Sequence, residues 1–412
     1  MKVKITPFNA AGSIFAPPSK SFAHRYVIAA FLSGKDCVIE NVGLSDDVSA
    51  TLAAVTSLGA IAKRRGGDIV VSGKRSVLNA TVDCAESGST LRFLLPVAAA
   101  LGVNAEFTGS DRLMSRPIDD LARAINGHGA TVSGHTVSGK LESGTYYLNA
   151  SLSSQFVSGM LFALSVVDGE SEIILAGEKV SKGYIDITVS VLREFGVNIR
   201  ETENGFKIVG GYNPPERVTV EGDWSGAAFP LAVGALTGQV TVKNLKYPTL
   251  QSDGAIVDLL KKFGAKVYVS NGEVTAAAGE LSGVSDIDCE NCPDIAQVIC
   301  SVAAFAKGKT SLKGIERLKI KESDRIAAII NTLKTCGVKA EYDNKTLTVY
   351  GGAPKGCAFD GGNDHRTVMS AAVIASAANG GSTVDGAEHC AKSYPEFFED
   401  IKRLGGKIDV NF

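Results

Sequence analysis

One pattern recurs six times along the chain and limits any fold it can take. Six stretches begin with a polar cap, continue as an apolar run of helical length and reach a glycine. They read "SKSFAHRYVIAAFLSG", "SGSTLRFLLPVAAALG", "SSQFVSGMLFALSVVDG", "GDWSGAAFPLAVGALTG", "PDIAQVICSVAAFAKG" and "NDHRTVMSAAVIASAANG". The glycines, Gly34, Gly102, Gly169, Gly238, Gly308 and Gly380, are spaced 67 to 72 residues apart. Self-similarity at a fixed period marks a chain built from copies of one supersecondary unit. After each glycine comes a short alternating strand such as "CVIENV" or "VTVKNL", then a polar loop and a second helix such as "YIDITVSVLREFG". A strand pair follows, as in "VNIRETENGFKIVGG", and one more strand feeds the next capped helix. The unit is β-α-β-α-β-β.

Six such units exceed a single hydrophobic core and divide naturally into two domains of three. The expected architecture is α/β (α+β): two domains, each with three βαβαββ repeats. The Gly/Pro-rich stretch "GGYNPPE", residues 210–216, marks the cut. The sixth unit stops at "GGKIDVNF" without its last strand, whereas "MKVKITPF" is a strand without a unit. We therefore expect the N-terminal strand to complete the sixth repeat. The first domain is then 19–220 and the second 1–18 with 221–412, joined by a hinge near 16–19 and 217–222.

Composition excludes several functions. A net charge of −2 gives no global reason to bind nucleic acid or an acidic membrane surface. No apolar run reaches the ~18 residues that span a bilayer. The start "MKVKITPFNA" has no apolar core of a signal peptide, so a cytoplasmic chain with reduced thiols is expected. Among the eight cysteines only Cys289-Glu-Asn-Cys292 forms a CxxC, and no second pair completes a zinc site. We expect no metal and no organic cofactor.

The repeat also sorts the polar residues by place. At the starts of the first helices stand Lys20, Ser21 and Arg25; Ser87, Gly88 and Arg92; Ser153, Ser154 and Gln155; Asp223; Asp294; and Asp364, His365 and Arg366. In the loops before the second helices stand Arg112 and Arg116, Ser181 and Lys182, Lys321, Glu322 and Arg325, and Lys392 and Ser393. Equivalent positions in a repeat lie at one end of each domain. Each helix N-terminus carries roughly half a positive charge and unsatisfied N–H donors. Lysines and arginines beside such ends are tolerable when a strongly anionic ligand fills the space, and phosphate and carboxylate groups fit the arginine fork. Each residue alone has an ordinary reading. Ser153, Asp223, Asp294 and Asp364 are natural caps, Lys321 and Arg325 could be a solvated i,i+4 pair, and Glu322 could be a plain salt-bridge partner. Recurrence at matching points is what raises them above these readings.

With these residues in view, the chain resembles the 5-enolpyruvylshikimate-3-phosphate synthase family over its whole length. The matching stretches are "PPSKSFAHR", "SGSTLRF", "DRLMSRPI", "SSQF", "SKGYIDIT", "EGD", "PDIAQ", "KIKESDRI", "NDHRTVM" and "AKSYPEFF". Short alone, they are specific when all ten appear in order and in register with the repeat. The resemblance implies a two-domain inside-out α/β barrel. It implies transfer of the enolpyruvyl group of phosphoenolpyruvate to the 5-hydroxyl of shikimate 3-phosphate, with release of phosphate, in aromatic amino-acid biosynthesis. Lys20, Ser21, Arg25, Ser153, Ser154, Ser181, Asp294 and Lys321 would hold shikimate 3-phosphate. Lys20, Gly88, Arg112, Gln155, Arg325, Arg366 and Lys392 would hold phosphoenolpyruvate. Asp294 would accept the hydroxyl proton, Glu322 would protonate the methylene carbon, and Lys20 would act beside both. A monomer is the family default.

Seven cations, Lys20, Arg25, Arg112, Lys321, Arg325, Arg366 and Lys392, would then face substrates carrying about −6 in total. Such cations repel one another before binding, so an open apo form closing on ligand is expected; scattering that shows no compaction with both ligands would refute it. The chain departs from the common pattern at His24 (often Asn), Glu86-Ser87 (Asn-Ala), Phe93 (Pro), Gly183 (Pro) and Arg317 (Asn). The departures leave the acid–base pair alone and bear only on the response to inhibitors near Gly88. A UDP-N-acetylglucosamine enolpyruvyl transferase would need a reactive Cys in the loop that here reads "SDRLMSRPI", and Asn after Lys20. A non-catalytic phosphometabolite sensor would not need both Asp294 and Glu322.

Overall fold

The computed structural model describes every residue except Leu44, Ala150, Leu152, Glu178, Lys179, Val180 and Phe412. The chain forms two compact units. A continuous unit runs Pro18–Val220, and a split unit combines Met1–Pro17 with Glu221–Phe412.

Six four-stranded sheets share one pattern. In the third repeat, Thr145–Asn149 pairs in parallel with Glu170–Ala176, Gly205–Val209 runs antiparallel to that strand, and Asn198–Thr202 closes the far edge. The strand before the first helix and the strand after it are therefore parallel neighbours, which needs a helical crossover between them. The final hairpin strand slots between the strands that flank the second helix. Alternation dictates which face is inside: along Thr145–Asn149, Tyr146 and Leu148 are buried while Thr145, Tyr147 and Asn149 are exposed.

Two of the feeding strands change sheets. Arg217–Thr219, which precedes the fourth capped helix, pairs with Cys37's strand in the first repeat (Val218 opposite Ile39). Ala11–Phe15, which precedes the first capped helix, pairs instead with Gln239–Lys243 of the fourth (Ile14 opposite Val242). Each unit thus receives the edge strand that the chain lays down on its way to the other. Lys2–Thr6 lies between Ser382–Asp385 and Lys407–Asn411, antiparallel to both, and supplies the missing strand of the sixth repeat.

The six capped helices are apolar on nearly all sides and buried, as in Trp224–Thr237, where residues Trp224 to Ala235 are all buried. The second helices are amphipathic: Ile256–Phe263 buries Ile256, Val257, Leu259, Leu260 and Phe263 and exposes Lys261 and Lys262. Helices Gly88–Leu101 and Ser154–Leu164 pack on each other. Their approach depends on Gly159, where an added β-carbon would stand 2.2 Å from Arg92 O.

The glycines that set the repeat period do not all end helices. Gly34 and Gly102 are left-handed C-caps with φ of 63° and 69°. The third and fifth helices stop earlier, at Leu164 and Ala303, and the sixth at Ala377. Gly169, Gly308 and Gly380 sit in the link to the next strand with φ of 95° to 104°. Gly238 is extended at φ 173°. The common requirement is a reversal into the strand, and only some repeats combine it with the helix cap.

Candidate functional site: two guanidinium-rich clusters

In the split unit the ends of three helical elements meet around Arg325. This residue opens helix Arg325–Thr335 and is 1% exposed. Its Nε is 2.8 Å from Asp364 Oδ2, its Nη1 3.1 Å from Asp294 Oδ1, and its Nη2 2.8 Å from Glu322 Oε2. Asp364 is fully buried and caps helix His365–Ala377 by accepting from Arg366 N; it also accepts from Ser323 Oγ at 2.9 Å. Asp294 lies in the turn Pro293–Ile295, where its carboxylate is turned to arginines: its Oδ2 is 3.1 Å from Arg366 Nη2. Arg366 Nη1 in turn donates to Asp294 O at 3.0 Å. Lys321 ends the turn Glu316–Ile320, and Lys392, buried, ends the turn Ala387–Lys392.

The charges in this cluster set one another. Burial opposes the charge on Arg325, but Asp364, Glu322 and Asp294 hold its guanidinium well above the ordinary range. Burial likewise favours neutral Asp294, yet Arg366, Lys321 and Arg325 hold it well below the usual carboxylate range. Asp364 is also penalised by burial and still sits at about 2, chiefly because of Arg325. One further acid behaves oppositely. Asp253 in Ser252–Ala255 is buried, hydrogen-bonds Ser225 Oγ, and is raised to about 7 by burial and by the nearby charge of Asp294, against the pull of Arg366.

In the continuous unit, Lys20 opens helix Lys20–Ser33 and pairs with Asp47 at 2.8 Å. Arg25 is 2% exposed and spends its nitrogens on neutral oxygens: Nε on Thr188 Oγ1 (2.7 Å), Nη1 on Ser21 O (2.7 Å) and Nη2 on Tyr184 O (2.9 Å). Its guanidinium also lies 5.0 Å from the Phe93 ring centroid. Among the described residues no carboxylate pairs with it, and burial lowers it to about 9. A buried cation held only by dipoles is a seat for an anion. Gly88 opens helix Gly88–Leu101, capped by Ser87, and the Arg116 guanidinium lies against it. Arg92 Nη1 donates to Gln155 Oε1 at 2.8 Å and Gln155 Nε2 donates to Ser89 Oγ at 3.0 Å, so the Gln155 amide is oriented from both ends. Ser153 caps helix Ser154–Leu164 through Gln155 N, and Ser154 is buried. Ser181 is buried and holds φ 52°, a conformation uncommon outside glycine, just before helix Lys182–Glu194.

Most of the residues expected from the sequence are thus gathered within their own unit. Arg112 is exposed on the single helical turn Asp111–Met114, and the guanidinium at Gly88 belongs to Arg116, four residues on. Asp364, Asp47 and Asp253 are additional participants. Repeat position marks Asp47, which lies in the first turn of the second helix of the first repeat, Asp46–Ser57, near the place where Ser181 and Lys321 precede theirs. Nothing in the sequence marks Asp253. Among the described residues no group of three or more His, Cys, Asp or Glu is arranged to hold a metal ion. Among the described residues no helix is long and apolar enough to cross a membrane.

Two units of three βαβαββ repeats with guanidinium-rich clusters at the helix starts define the enolpyruvyl transferase class. The structure of EPSP synthase from Acinetobacter baumannii is similar at a TM-score of 0.84 and 25% identity, covering 100% of both chains. The enolpyruvyl transferase NikO from Streptomyces tendae shares the fold at a TM-score of 0.77 and 19% identity, over 99% of this chain and 98% of that one. The chain belongs to the family EPSP synthase (3-phosphoshikimate 1-carboxyvinyltransferase), whose model matches residues 6–401. It is 37% identical to the 3-phosphoshikimate 1-carboxyvinyltransferase of Clostridium kluyveri over 99% of this chain and 98% of that protein. It is 36% identical to that of Halobacterium salinarum over 99% of this chain and 100% of that protein. It is an enzyme of enolpyruvyl transfer in the shikimate pathway.

Proposed function

We propose that the two clusters act on phosphoenolpyruvate and shikimate 3-phosphate, and that Asp294 and Glu322 exchange the protons of the reaction. What carries this reading is that one buried guanidinium, Arg325, is shared by both acids, at 3.1 Å from Asp294 and 2.8 Å from Glu322. Two carboxylates held apart on one cation are oriented without being neutralised by each other.

Phosphoenolpyruvate is polarised so that C3 accepts a proton while C2 becomes electrophilic. Glu322 gives its proton to C3, the 5-hydroxyl oxygen attacks C2, and Asp294 takes the hydroxyl proton. Phosphate then leaves C2 as the Glu322 carboxylate takes a C3 proton back, and the enol ether product forms. In the ligand-free protein Asp294 is too weak a base for this, because Arg366, Lys321 and Arg325 stabilise its charge. Substrate phosphate and carboxylate groups that engage those cations raise its proton affinity, so the base is made by binding. Glu322 gains proton affinity for the same reason. Arg325 already spends its Nε and two of its four Nη hydrogens on Asp364 and Asp294 and is ion-paired with Glu322, so it offers phosphoenolpyruvate at most two hydrogen bonds unless a carboxylate gives way.

In the continuous unit, Lys20, Ser21, Arg25, Ser153, Ser154 and Ser181 would hold shikimate 3-phosphate, with Arg25 on its phosphate. Gly88, Gln155 and Arg116 would meet phosphoenolpyruvate. Arg112, exposed, has less support than Arg116. Lys321 in the split unit would hold shikimate 3-phosphate, and Arg366 and Lys392 would hold phosphoenolpyruvate. The same reading makes the protein a cytoplasmic monomer without metal or organic cofactor, testable by sedimentation and by activity after chelation.

The experiment is phosphate release from phosphoenolpyruvate with shikimate 3-phosphate, and in parallel with UDP-N-acetylglucosamine. Turnover with the former only, lost in Asp294→Ala and Glu322→Gln by at least about a hundredfold, is the expected result. Full activity in either variant would remove that residue from the proton transfers.

A further inference from the structure

Four buried side chains form a continuous line between the helix that starts at Lys20 and the helix that starts at Gly88. His24 Nδ1 lies 2.6 Å from Thr51 Oγ1, and Thr51 Oγ1 lies 2.6 Å from Thr90 Oγ1. Thr90 Oγ1 donates to Ser87 Oγ at 2.7 Å. Relative exposure is 1% for His24 and 0% for Thr51, Thr90 and Ser87. Ser87 Oγ also accepts from Thr90 N at 3.2 Å and so caps the helix that Gly88 opens. None of the four has a part in the chemistry described above.

The direction of every bond in this line follows from its end. The Thr90 hydroxyl hydrogen goes to Ser87, so Thr90 Oγ1 accepts from Thr51. The Thr51 hydrogen is then committed to Thr90, and His24 must supply the donor. Burial lowers His24 to about 3, so the imidazole is neutral and carries one hydrogen. That hydrogen belongs on Nδ1. The other nitrogen, Nε2, is buried without a partner among the described residues, as an unprotonated acceptor in an apolar setting would be.

We propose that His24 is a positioning residue for phosphoenolpyruvate, fixing through Thr51, Thr90 and Ser87 the helix start at which Gly88 and Arg116 meet that substrate. This rests on the assignment of the Gly88–Arg116 end to phosphoenolpyruvate. The imidazole selects one of two hydrogen-bond directions. Without its N–H, Thr51 can turn its hydroxyl toward Asp47 O, 3.4 Å away, and the cap at Ser87 loses its fixed polarity. Asparagine at this position could present an N–H to Thr51 in the same sense, whereas leucine could not.

Initial-rate kinetics test this with His24→Leu, Thr51→Val, His24→Asn and, as a check on the underlying assignment, Arg116→Ala. We expect His24→Leu and Thr51→Val to raise the KM for phosphoenolpyruvate about tenfold, as loss of a buried hydrogen bond allows. kcat and the KM for shikimate 3-phosphate should stay within about twofold. His24→Asn should return the KM to near the wild-type value, and the pH profile of kcat/KM should keep its shape in all three, since the imidazole does not titrate in the working range. Thr51→Val keeps the test open should His24→Leu not fold. A phosphoenolpyruvate KM unchanged in both line-breaking variants but raised in Arg116→Ala overturns the role of His24. So does a His24→Asn enzyme no better than His24→Leu. A KM unchanged in Arg116→Ala as well overturns the assignment of this helix start, and the inference with it.

Discussion

A β-carbon added to Gly88 would stand 2.6 Å from Nη1 of Arg116 and 3.2 Å from its Cζ. The guanidinium rests on the bare face of the residue that opens the helix, so side chain and helix start form one anion-binding surface. Gly88→Ala pushes away only the far end of a flexible side chain. The variant is expected to fold with a Tm within a few degrees of wild type, and to show a severalfold higher KM for phosphoenolpyruvate. An unchanged KM would mean that Arg116 does not act from this position.

Asp364 ties Arg325 to the start of helix His365–Ala377, and its depressed value of about 2, against an ordinary 3.8, has a definite sign. Its ionised form is favoured by folding, so the stabilisation is present above pH 3.8 and disappears as pH falls toward 2. Asp364→Asn leaves a buried guanidinium short of one countercharge and should cost roughly 2–4 kcal/mol at pH 7. The gap to wild type should narrow in denaturant titrations repeated at pH 3. A constant gap would exclude the ion pair as the cause.

Asp253 predicts the reverse slope. With its carboxyl raised to about 7, the folded protein holds a proton that the unfolded chain has released above pH 3.8. Its contribution is full below that pH and is lost as pH rises through about 7. Asp253→Asn, which keeps an acceptor for Ser225, should melt a few degrees above wild type at pH 8 and at about the same temperature near pH 3.5. Calorimetry at the two pH values decides; a variant less stable at pH 8 would show that the ionised form is the one the fold prefers.

Arg25 should make the protein responsive to simple anions. Its buried charge rests on Thr188, Ser21 and Tyr184 oxygens and on the Phe93 ring, and a phosphate would supply the missing countercharge. Millimolar inorganic phosphate is expected to raise the melting temperature of the wild type and not that of Arg25→Met. Equal shifts in both would assign the effect to other cations.

The repeat made the fold legible, because hydrophobic period and turn spacing are local properties that stacking only reinforces. It also located the strand Lys2–Thr6, since a unit lacking one strand and a strand lacking a unit must be matched. The exchange of Ala11–Phe15 and Arg217–Thr219 was not legible, because the pairing of an edge strand depends on which sheet lies beside it and not on its own pattern. At the site, residue types were easier to read than directions. Arg112 and Arg116 stand one helical turn apart in "DRLMSRPI", and only the short turn Asp111–Met114 decides which of them reaches Gly88. Asp294 resembled a cap because it follows proline, whereas two arginines claim its carboxylate. Asp253 gave no signal at all: its value comes from burial beside Asp294, a contact made across distant segments.

The place of Lys2–Thr6 between Ser382–Asp385 and Lys407–Asn411 has a consequence for biogenesis. On a ribosome adding ~5–20 residues per second, the continuous unit holds all its strands once Thr219 has emerged. Lys2–Thr6 must wait roughly 380 residues, tens of seconds, for its neighbours, exposing alternating valine and isoleucine meanwhile. Translation pauses in the second half of the message, or a lack of holding chaperones, would therefore penalise the split unit first.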